Sequence, residues 1–192
     1  MPQHDIYISA DIESDGPIPG RYSMLSFGLA VAGRFDGRTL VPANPEEDSL
    51  YRELRPISSR YLPKALAVTA LDRENLATHG VPPARAMADA KRWVTAVSGV
   101  DRPVLVGYPL EFDWMFLCWY FERFAGGSPF GFSSALDMKT MYQQKARVPI
   151  SLAGKDDLPS FLQSHRRHTH NALDDAIEQA DIFVRLFDWA GP

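Results

Sequence analysis

The alternation of apolar and polar positions divides the chain into a β-rich first third and a helix-rich remainder. Short apolar stretches predict strands at residues 6–11 and 24–32. Asp36 and Gly37 then stand between two β-like stretches, which indicates a hairpin turn because both residues tolerate a positive φ. A third strand is expected between residues 38 and 54. The first third is therefore predicted to be an antiparallel meander.

From residue 61 the pattern changes to Ala- and Leu-rich segments with helical spacing, bounded by Pro or Gly. A short apolar strand, of the kind buried on both faces, follows them. In chain order the predicted elements are helices at 61–80 and 82–99, a strand at 102–108, a helix at 114–124, a strand at 134–138, and helices at 158–164 and 172–189. A meander followed by strands that alternate with helices predicts an α/β fold, a mixed sheet flanked by helices, which by itself assigns no function.

The length and composition are those of a globular protein. With 192 residues, 45% of them hydrophobic and 23% charged, the chain is expected to form one domain, residues 1–192, with its core at about residues 6–187. The formal net charge of −4 argues against a protein that coats nucleic acid by bulk positive charge. It does not argue against a nucleic-acid enzyme that gathers carboxylates around divalent cations.

Targeting features also favour an ordinary intracellular protein. The single cysteine, Cys118, lies in an apolar stretch and is expected to be a buried thiol, which fits a reducing compartment. The N-terminal residues lack the basic and long apolar segments of a secretory signal. Pro109, Glu111 and Asp113 interrupt the longest apolar stretch, residues 104–121, which argues against a membrane span. A soluble, cytoplasmic protein with no membrane partner is predicted.

Asp11 and Glu13 form the first candidate site. They are two residues apart at the end of the first predicted strand, so their side chains project from the same face. Two carboxylates placed in this way repel each other unless a cation lies between them. An isolated pair of this kind is more often a solvated strand end, so the pair indicates a metal site only in combination with other residues.

Asp113 is the second candidate. It follows the buried strand at 102–108 and precedes the predicted helix at 114–124, a place where open sheets present ligand-binding groups. The alternative is structural, because an Asp just before a helix commonly caps the first free backbone N–H groups. Taken alone, Asp113 favours the cap.

The last predicted helix distinguishes between two neighbouring aspartates. At about 100° per residue, Asp174 points away from the buried stripe of the helix, whereas Asp175 lies at the edge of that stripe and can reach a cleft. His170 is five residues before Asp175 and is expected on the loop ahead of the helix. A histidine with a pKa near 6.5 suits a general base, although a surface histidine is the ordinary alternative.

Taken together, these positions resemble the DEDDh exonucleases of the ribonuclease T-like and polymerase proofreading type. The D-x-E motif of that family matches Asp11 and Glu13, its F-D motif matches Phe112 and Asp113, and its H-x-A-x-x-D motif matches His170, Ala172 and Asp175. The similarity extends from about residue 6 to residue 187. One departure lies in the second motif, where many relatives carry His-Asn and this chain has Gly107, Tyr108 and Pro109.

The resemblance implies a ribonuclease H-like fold and removal of nucleotides from the 3′ end of single-stranded nucleic acid, RNA or DNA. It implies that two divalent ions, Mg²⁺ or Mn²⁺, are the cofactors, held by Asp11, Glu13, Asp113 and Asp175, and that His170 removes a proton from the attacking water. Family members stack a base on apolar residues after the first motif; Pro17, Ile18, Met24 and Leu25 are the candidates here, although packing in the core or a loop is an equally good interpretation of each.

Basic residues near the motifs are candidates for phosphate contacts as a group, although each one alone is more often a solvated surface charge. They are Arg21, Lys139, Lys145, Arg147, Lys155, Arg166 and Arg167.

Two other functions remain as alternatives. The first is a nucleic-acid-binding module of the same fold that has lost catalysis, which the intact set of five residues disfavours. The second is a zinc protein built on His165, His168 and His170, which the absence of a nearby cysteine disfavours. The sequence does not separate RNA from DNA, and because some relatives pair as dimers it leaves a homodimer open.

Overall fold

A central strand, β1, organises the six-stranded sheet of this protein. The structure, a computed structural model, describes residues 4–192. The strands are β1 (Asp5–Ser14), β2 (Met24–Phe35), β3 (Leu40–Pro42), β4 (Ser49–Glu53), β5 (Arg102–Gly107) and β6 (Ala135–Asp137). The helices are α1 (Pro63–Thr69), α2 (Arg73–His79), α3 (Pro83–Ser98), α4 (Leu110–Ala125), α5 (Met138–Ala146) and α6 (Ala172–Asp188).

The sheet is antiparallel on one side of β1 and parallel on the other. Its strand order is β3-β2-β1-β5-β6, and β4 also pairs with β2. β2 runs antiparallel to β1, β3 and β4, whereas β5 runs parallel to both β1 and β6. This arrangement confirms the predicted antiparallel meander followed by parallel strands. Because β1 and β5 are parallel neighbours, the ends of both strands lie at the same edge of the sheet.

Helices cover both faces of the sheet because successive residues of β1 point in opposite directions. Ile6 and Ile8 pack on one face in a core that contains residues of α3 and α4. Tyr7 packs on the other face in a core built with α5 and α6. All three of these side chains are buried. No helix within residues 4–192 is both long enough and apolar enough to cross a membrane.

A glycine in β2 allows α6 to approach the centre of the sheet. Gly28 pairs with Asp11 of β1, and a β-carbon at Gly28 would lie 2.2 Å from the carbonyl oxygen of Ala172. That distance is too short for any side chain, so the contact requires glycine. Ala30 packs against Ala176 and Ile177 two residues further along the strand. Small residues on β2 therefore place the first turn of α6 directly over β2, beside Asp11 of β1.

Several predicted elements differ from the structure. The segment 61–80 contains two helices rather than one, because Ala70 has a positive φ of 52° and Asp72 caps a new helix, α2. No helix forms at 158–164: Leu158 and Leu162 are buried at helical spacing, but Pro159 accepts a turn bond from the Leu162 N–H instead. The expected single strand between residues 38 and 54 is two strands, and helix α5 was not predicted.

Two predictions about α4 and its residues were also wrong in detail. The helix begins at Leu110 after the N-cap residue Pro109, so Asp113 lies inside its first turn and is not the cap. A proline with its fixed φ suits this position, and the polar residues that follow it concealed the start of the helix. Cys118, which was expected to be buried, is partly exposed on this helix.

A buried ion pair fixes the loop that follows β1. Asp15 is 0% exposed, and its carboxylate accepts hydrogen bonds from Arg73 Nε at 2.8 Å and from the Ser23 N–H at 2.6 Å. Arg73 also donates to the Ser58 carbonyl and lies over the ring of Tyr61. The pair therefore joins the start of α2 to the segment that follows β1.

We expect the substitution Arg73→Met to lower the free energy of unfolding by about 3 kcal/mol, because it leaves the Asp15 carboxylate buried without its charged partner. Urea titration followed by circular dichroism measures the change. The control is Arg92→Met, which breaks the exposed Arg92–Asp89 pair and should cost less than about 0.5 kcal/mol. Equal losses in the two variants would contradict the assignment of Asp15–Arg73 as a buried, stabilising pair.

Candidate active site

One cleft brings together residues from three separate parts of the chain. Asp11 and Glu13 come from the end of β1, Asp113 from the first turn of α4, and Asp175 from the first turn of α6. His170 lies on the loop just before α6, as predicted. The cleft has a volume of about 230 Å³ and is lined by Asp11, Ile12, Glu13, Tyr108, Pro109, Phe112, Asp113, His168 and His170.

Three carboxylates converge closely at the floor of this cleft. One oxygen each from Asp11, Glu13 and Asp175 lies within 4.8 Å of the other two. Glu13 and Asp175 are buried, whereas Asp11 is partly exposed to the cleft. Asp174, the neighbour expected at the surface, is exposed. The helical phase of α6 therefore distinguishes the two aspartates correctly.

Burial and mutual repulsion disfavour negative charge on these carboxylates. Desolvation, followed by the charges of Asp113, Asp175 and Glu13, raises the pKa of Asp11 well above its usual value, while Lys155 opposes the shift. Desolvation and the charge of Asp175 raise the pKa of Glu13 to about 7. Carboxylates in this environment gain most from a neutralising cation.

Asp113 is held against β1 by the backbone. Its carboxylate accepts a hydrogen bond of 3.1 Å from the N–H of Ile12, the residue between Asp11 and Glu13. Desolvation raises the pKa of Asp113 well above its usual value, and the bond from Ile12 partly opposes that effect. The Asp113 carboxylate therefore lies beside the strand residues Asp11 and Glu13, although it comes from the first turn of a helix.

Asp175 has one satisfied oxygen and one free oxygen. Its Oδ1 accepts a 2.8 Å hydrogen bond from the Thr169 N–H. Its Oδ2 is buried and finds no hydrogen-bond partner among residues 4–192, although His168 Nδ1 lies 3.1 Å away. A buried carboxylate oxygen without a partner is costly, which suits an atom that binds a cation. Oxygen ligands of this kind fit hard divalent ions such as Mg²⁺ and Mn²⁺.

Gln179, which was not predicted from the sequence, orients Asp11. Its side-chain Nε2 donates to Asp11 Oδ1 at 2.9 Å, and its Oε1 accepts from the backbone N–H of Tyr108 at 2.6 Å. Gln179 is one helical turn after Asp175 and therefore faces the same way. That spacing is the feature of the sequence that indicates its position.

The histidines lie at the mouth of the cleft. His170 is exposed, has a positive φ of 58°, and directly precedes the helix cap Asn171. Its ring centroid is 4.5 Å from that of His168. These two histidines and Asp175 form a group of nearby ligand atoms, and His165 lies outside that group in the described part of the chain. The three-histidine zinc site considered from the sequence therefore finds no support.

A larger groove, of about 720 Å³, lies elsewhere on the molecule. It is lined by Ala88, Lys91, Arg92, Thr95, Ala96 and Ala125 and contributes no carboxylate. Its lining carries the positive charges of Lys91 and Arg92 and no carboxylate, so the smaller acidic cleft is the candidate active site.

Comparison with known proteins agrees with this geometry. Residues 70–187 match the family described as the 3′-5′ exoribonuclease Rv2179c-like domain. The 3′-5′ DNA exonuclease Cap18 of Escherichia coli is 38% identical over 185 residues, which cover 96% of this chain and 92% of that protein. The chain belongs to this exonuclease family. It is a 3′-5′ exonuclease of the DEDDh type, a family whose members use divalent metal ions.

Solved structures show that this DEDDh exonuclease has the ribonuclease H-like fold. The nuclease domain of 3′hExo, a DEDDh family member bound to rAMP, superposes with a TM-score of 0.68 at 14% identity, covering 96% of this chain and 92% of that one. E. coli Exonuclease I in complex with a dT13 oligonucleotide gives 0.61 at 16% identity, covering 97% of this chain and 43% of that one. The expected fold is confirmed.

We expect Glu13→Gln to raise the melting temperature of the metal-free exonuclease at pH 8 by about 3 °C. The substitution removes a buried charge that faces Asp175, and about 1 kcal/mol corresponds to 2–4 °C in a chain of this size. Differential scanning calorimetry in the presence of a chelator measures the change.

The control for this prediction is Glu122→Gln, an equivalent substitution at an exposed position of α4, which should leave the melting temperature unchanged. Added Mg²⁺ should then stabilise the wild type more than Glu13→Gln, because the variant has lost one ligand. A metal-free Glu13→Gln protein that melts below the wild type would show that the Glu13 charge does not strain the cleft.

Proposed function

We propose that this protein is a single-domain exonuclease that removes nucleotides from the 3′ end of single-stranded DNA with two divalent cations. The observation that supports it best is the convergence of Asp11, Glu13 and Asp175, with oxygens within 4.8 Å of one another and one buried oxygen of Asp175 unpaired. Such an arrangement is unfavourable for a protein that does not bind cations.

In this proposal Asp11, Glu13, Asp113 and Asp175 hold the cations, Mg²⁺ or Mn²⁺. When bound, the two cations would activate the attacking water and stabilise the leaving 3′ oxygen. His170 accepts the proton of that water, for which its exposed position at the mouth of the cleft is suitable. Gln179 keeps the Asp11 carboxylate turned towards the cleft through its 2.9 Å hydrogen bond.

The sequence relative Cap18 favours DNA as the substrate, whereas the structural neighbour 3′hExo was solved with rAMP. The family description names exoribonucleases, but that match begins at residue 70 and leaves out Asp11 and Glu13. The DNA exonuclease Cap18 matches 96% of the chain. The similarity to Exonuclease I, solved with a dT13 oligonucleotide, favours single strands.

The walls of the cleft suit an unpaired base. Pro109 and Phe112 line it beside the carboxylates, and Phe112 is 39% exposed. An exposed aromatic ring next to a cation site offers a stacking surface for a base that is not held in a duplex. These residues lie in and just before the second motif, whereas the stacking candidates named from the sequence followed the first. Met24 and Leu25 of that earlier set are fully buried in the core.

We expect the protein to shorten 5′-labelled single-stranded DNA from its 3′ end in Mg²⁺ or Mn²⁺, and RNA of the same sequence at least about 10-fold more slowly, because the cleft must distinguish the 2′ hydroxyl. Asp11→Asn should lower kcat by more than about 100-fold, because it removes a cation ligand rather than an outer partner. A chelator should abolish activity. Gel analysis of the products over time measures all three effects.

The matched control is Asp36→Asn, which changes a fully exposed aspartate in a turn and should keep full activity. If Asp11→Asn shortens the strand as fast as the wild type, a contaminant is responsible and the proposal fails. Retention of the strand without shortening would instead identify a nucleic-acid-binding module. Faster shortening of RNA than of DNA would overturn the choice of substrate and leave the exonuclease assignment intact.

A further inference from the structure

The long connection between α5 and α6 carries the histidines of the site but has little regular structure. Residues 147–171 contain two short 3₁₀ turns, Ile150–Leu152 and Lys155–Asp157. A loop of this kind positions a general base accurately only if side chains tie it to the rigid part of the fold. The contacts that the loop makes with α6 therefore bear on catalysis.

Lys155 makes the innermost charged contact between this loop and α6. Its Nζ lies 2.7 Å from Glu178 Oε2, and the two side chains are 20% and 9% exposed. Nζ also lies 3.0 Å from His168 Nδ1. Because an ammonium group only donates, the contact with Lys155 favours the tautomer of His168 in which Nδ1 accepts and the ring proton is on Nε2. The ammonium therefore holds the His168 ring in one orientation.

The same contacts continue from His168 to the site. His168 Nδ1 also lies 3.5 Å from Glu178 Oε2 and 3.1 Å from Asp175 Oδ2, but as an acceptor it forms no hydrogen bond with either carboxylate. The His168 ring packs edge-on against the ring of His170, with centroids 4.5 Å apart. Lys155, Glu178 and His168 thus form a continuous chain of contacts that ends at His170.

Glu178 connects this chain of contacts to α6. Glu178 is three residues after Asp175, so both side chains lie on the same face of α6, and Glu178 is 7% exposed. A nearly buried carboxylate needs a charged partner, and Lys155 supplies it from the loop.

Two other basic residues considered for phosphate contacts are engaged elsewhere: Lys145 donates to three carbonyl oxygens at the end of α6, and Arg166 pairs with Glu46 and Asp181.

We propose that Lys155 and Glu178 are positioning residues for the exonuclease reaction, and that they act by holding His168 against His170 at the mouth of the cleft. This inference rests on the proposed function, because it assigns the base to His170. Lys155 does not contact the substrate in this proposal. Its effect reaches the attacking water through the orientation of the His170 ring.

A double-mutant cycle tests whether Lys155 acts through His170. Lys155→Met should lower kcat for single-stranded DNA by about 10-fold and change KM by less than about 2-fold, because an outer partner of a catalytic group is typically worth 10–100-fold. In a His170→Asn background the same substitution should cost nothing further. Equal losses in both backgrounds would overturn the proposal, because Lys155 would then act by another route.

Glu178 provides the reciprocal test. Glu178→Gln should reproduce the loss in kcat, and the exchanged pair Lys155→Glu with Glu178→Lys should recover part of it, since the ion pair is restored in reverse. The control is Arg166→Met, which removes the more exposed ion pairs from the same loop to Glu46 and Asp181 and should change kcat by less than about 2-fold. A loss in Arg166→Met as large as that in Lys155→Met would reduce Lys155 to a general stabiliser of the loop.

A measurement without substrate separates this inference from the proposed function. In two-dimensional NMR spectra of the histidine ring C–H groups, Lys155→Met should shift the signals of His168 and His170 and leave those of His79 and His165 in place. Unmoved His170 signals would overturn the positioning role whether or not the protein is an active nuclease. Shifted signals in a protein that shortens no strand would support the positioning role and leave the proposed function as the part that fails.

Discussion

The main constraint on this structure is electrostatic: the fold holds several carboxylates close together in one largely buried place, where they repel one another. Asp11 and Glu13 share β1, but Asp113 and Asp175 come from two helices, so no local pattern brings all four together. Packing between these elements holds the carboxylates together despite their repulsion. Gly28 lets the start of α6 approach the sheet opposite Asp11, and Ala30 lets the helix remain close along its next turn. The stability of the core thus offsets the cost of the acidic cluster.

Neutral groups, rather than arginines, hold most of these carboxylates in place. Asp113 accepts from the Ile12 N–H, Asp175 from the Thr169 N–H, and Asp11 from the Gln179 amide. Neutral donors orient a carboxylate without cancelling its charge, so its attraction for a cation is retained. The buried Asp15 differs from them, because the charge of Arg73 neutralises its carboxylate directly. This contrast with Asp15 separates the carboxylates of the cleft from a structural ion pair.

The parts of the site that the sequence predicts are those that follow from local periodicity. The alternation of β1 places Asp11 and Glu13 on one face, and the helical phase of α6 separates buried Asp175 from exposed Asp174. The start of α4 at Leu110 was not predicted, because the N-cap residue before it is Pro109 rather than a polar residue. Gln179 was missed because its role depends on a contact with Asp11 across 168 positions. Interactions of that kind arise from packing between elements, and no pattern within one segment encodes them.

The departure at the second motif has a structural explanation in Tyr108. Tyr108 stands where many relatives of this type carry polar residues, and it is 6% exposed. Its hydroxyl donates to the Ala153 carbonyl at 3.0 Å, and its backbone N–H donates to the Gln179 side chain. One residue therefore braces both the connection that carries the histidines and the amide that orients Asp11. Because Tyr108 is committed to these contacts, the cleft wall beyond it is formed by the apolar faces of Pro109 and Phe112. Under the proposed function, a terminal nucleotide would meet the rings of Pro109 and Phe112 there, which favours stacking on this wall over base-specific readout by it.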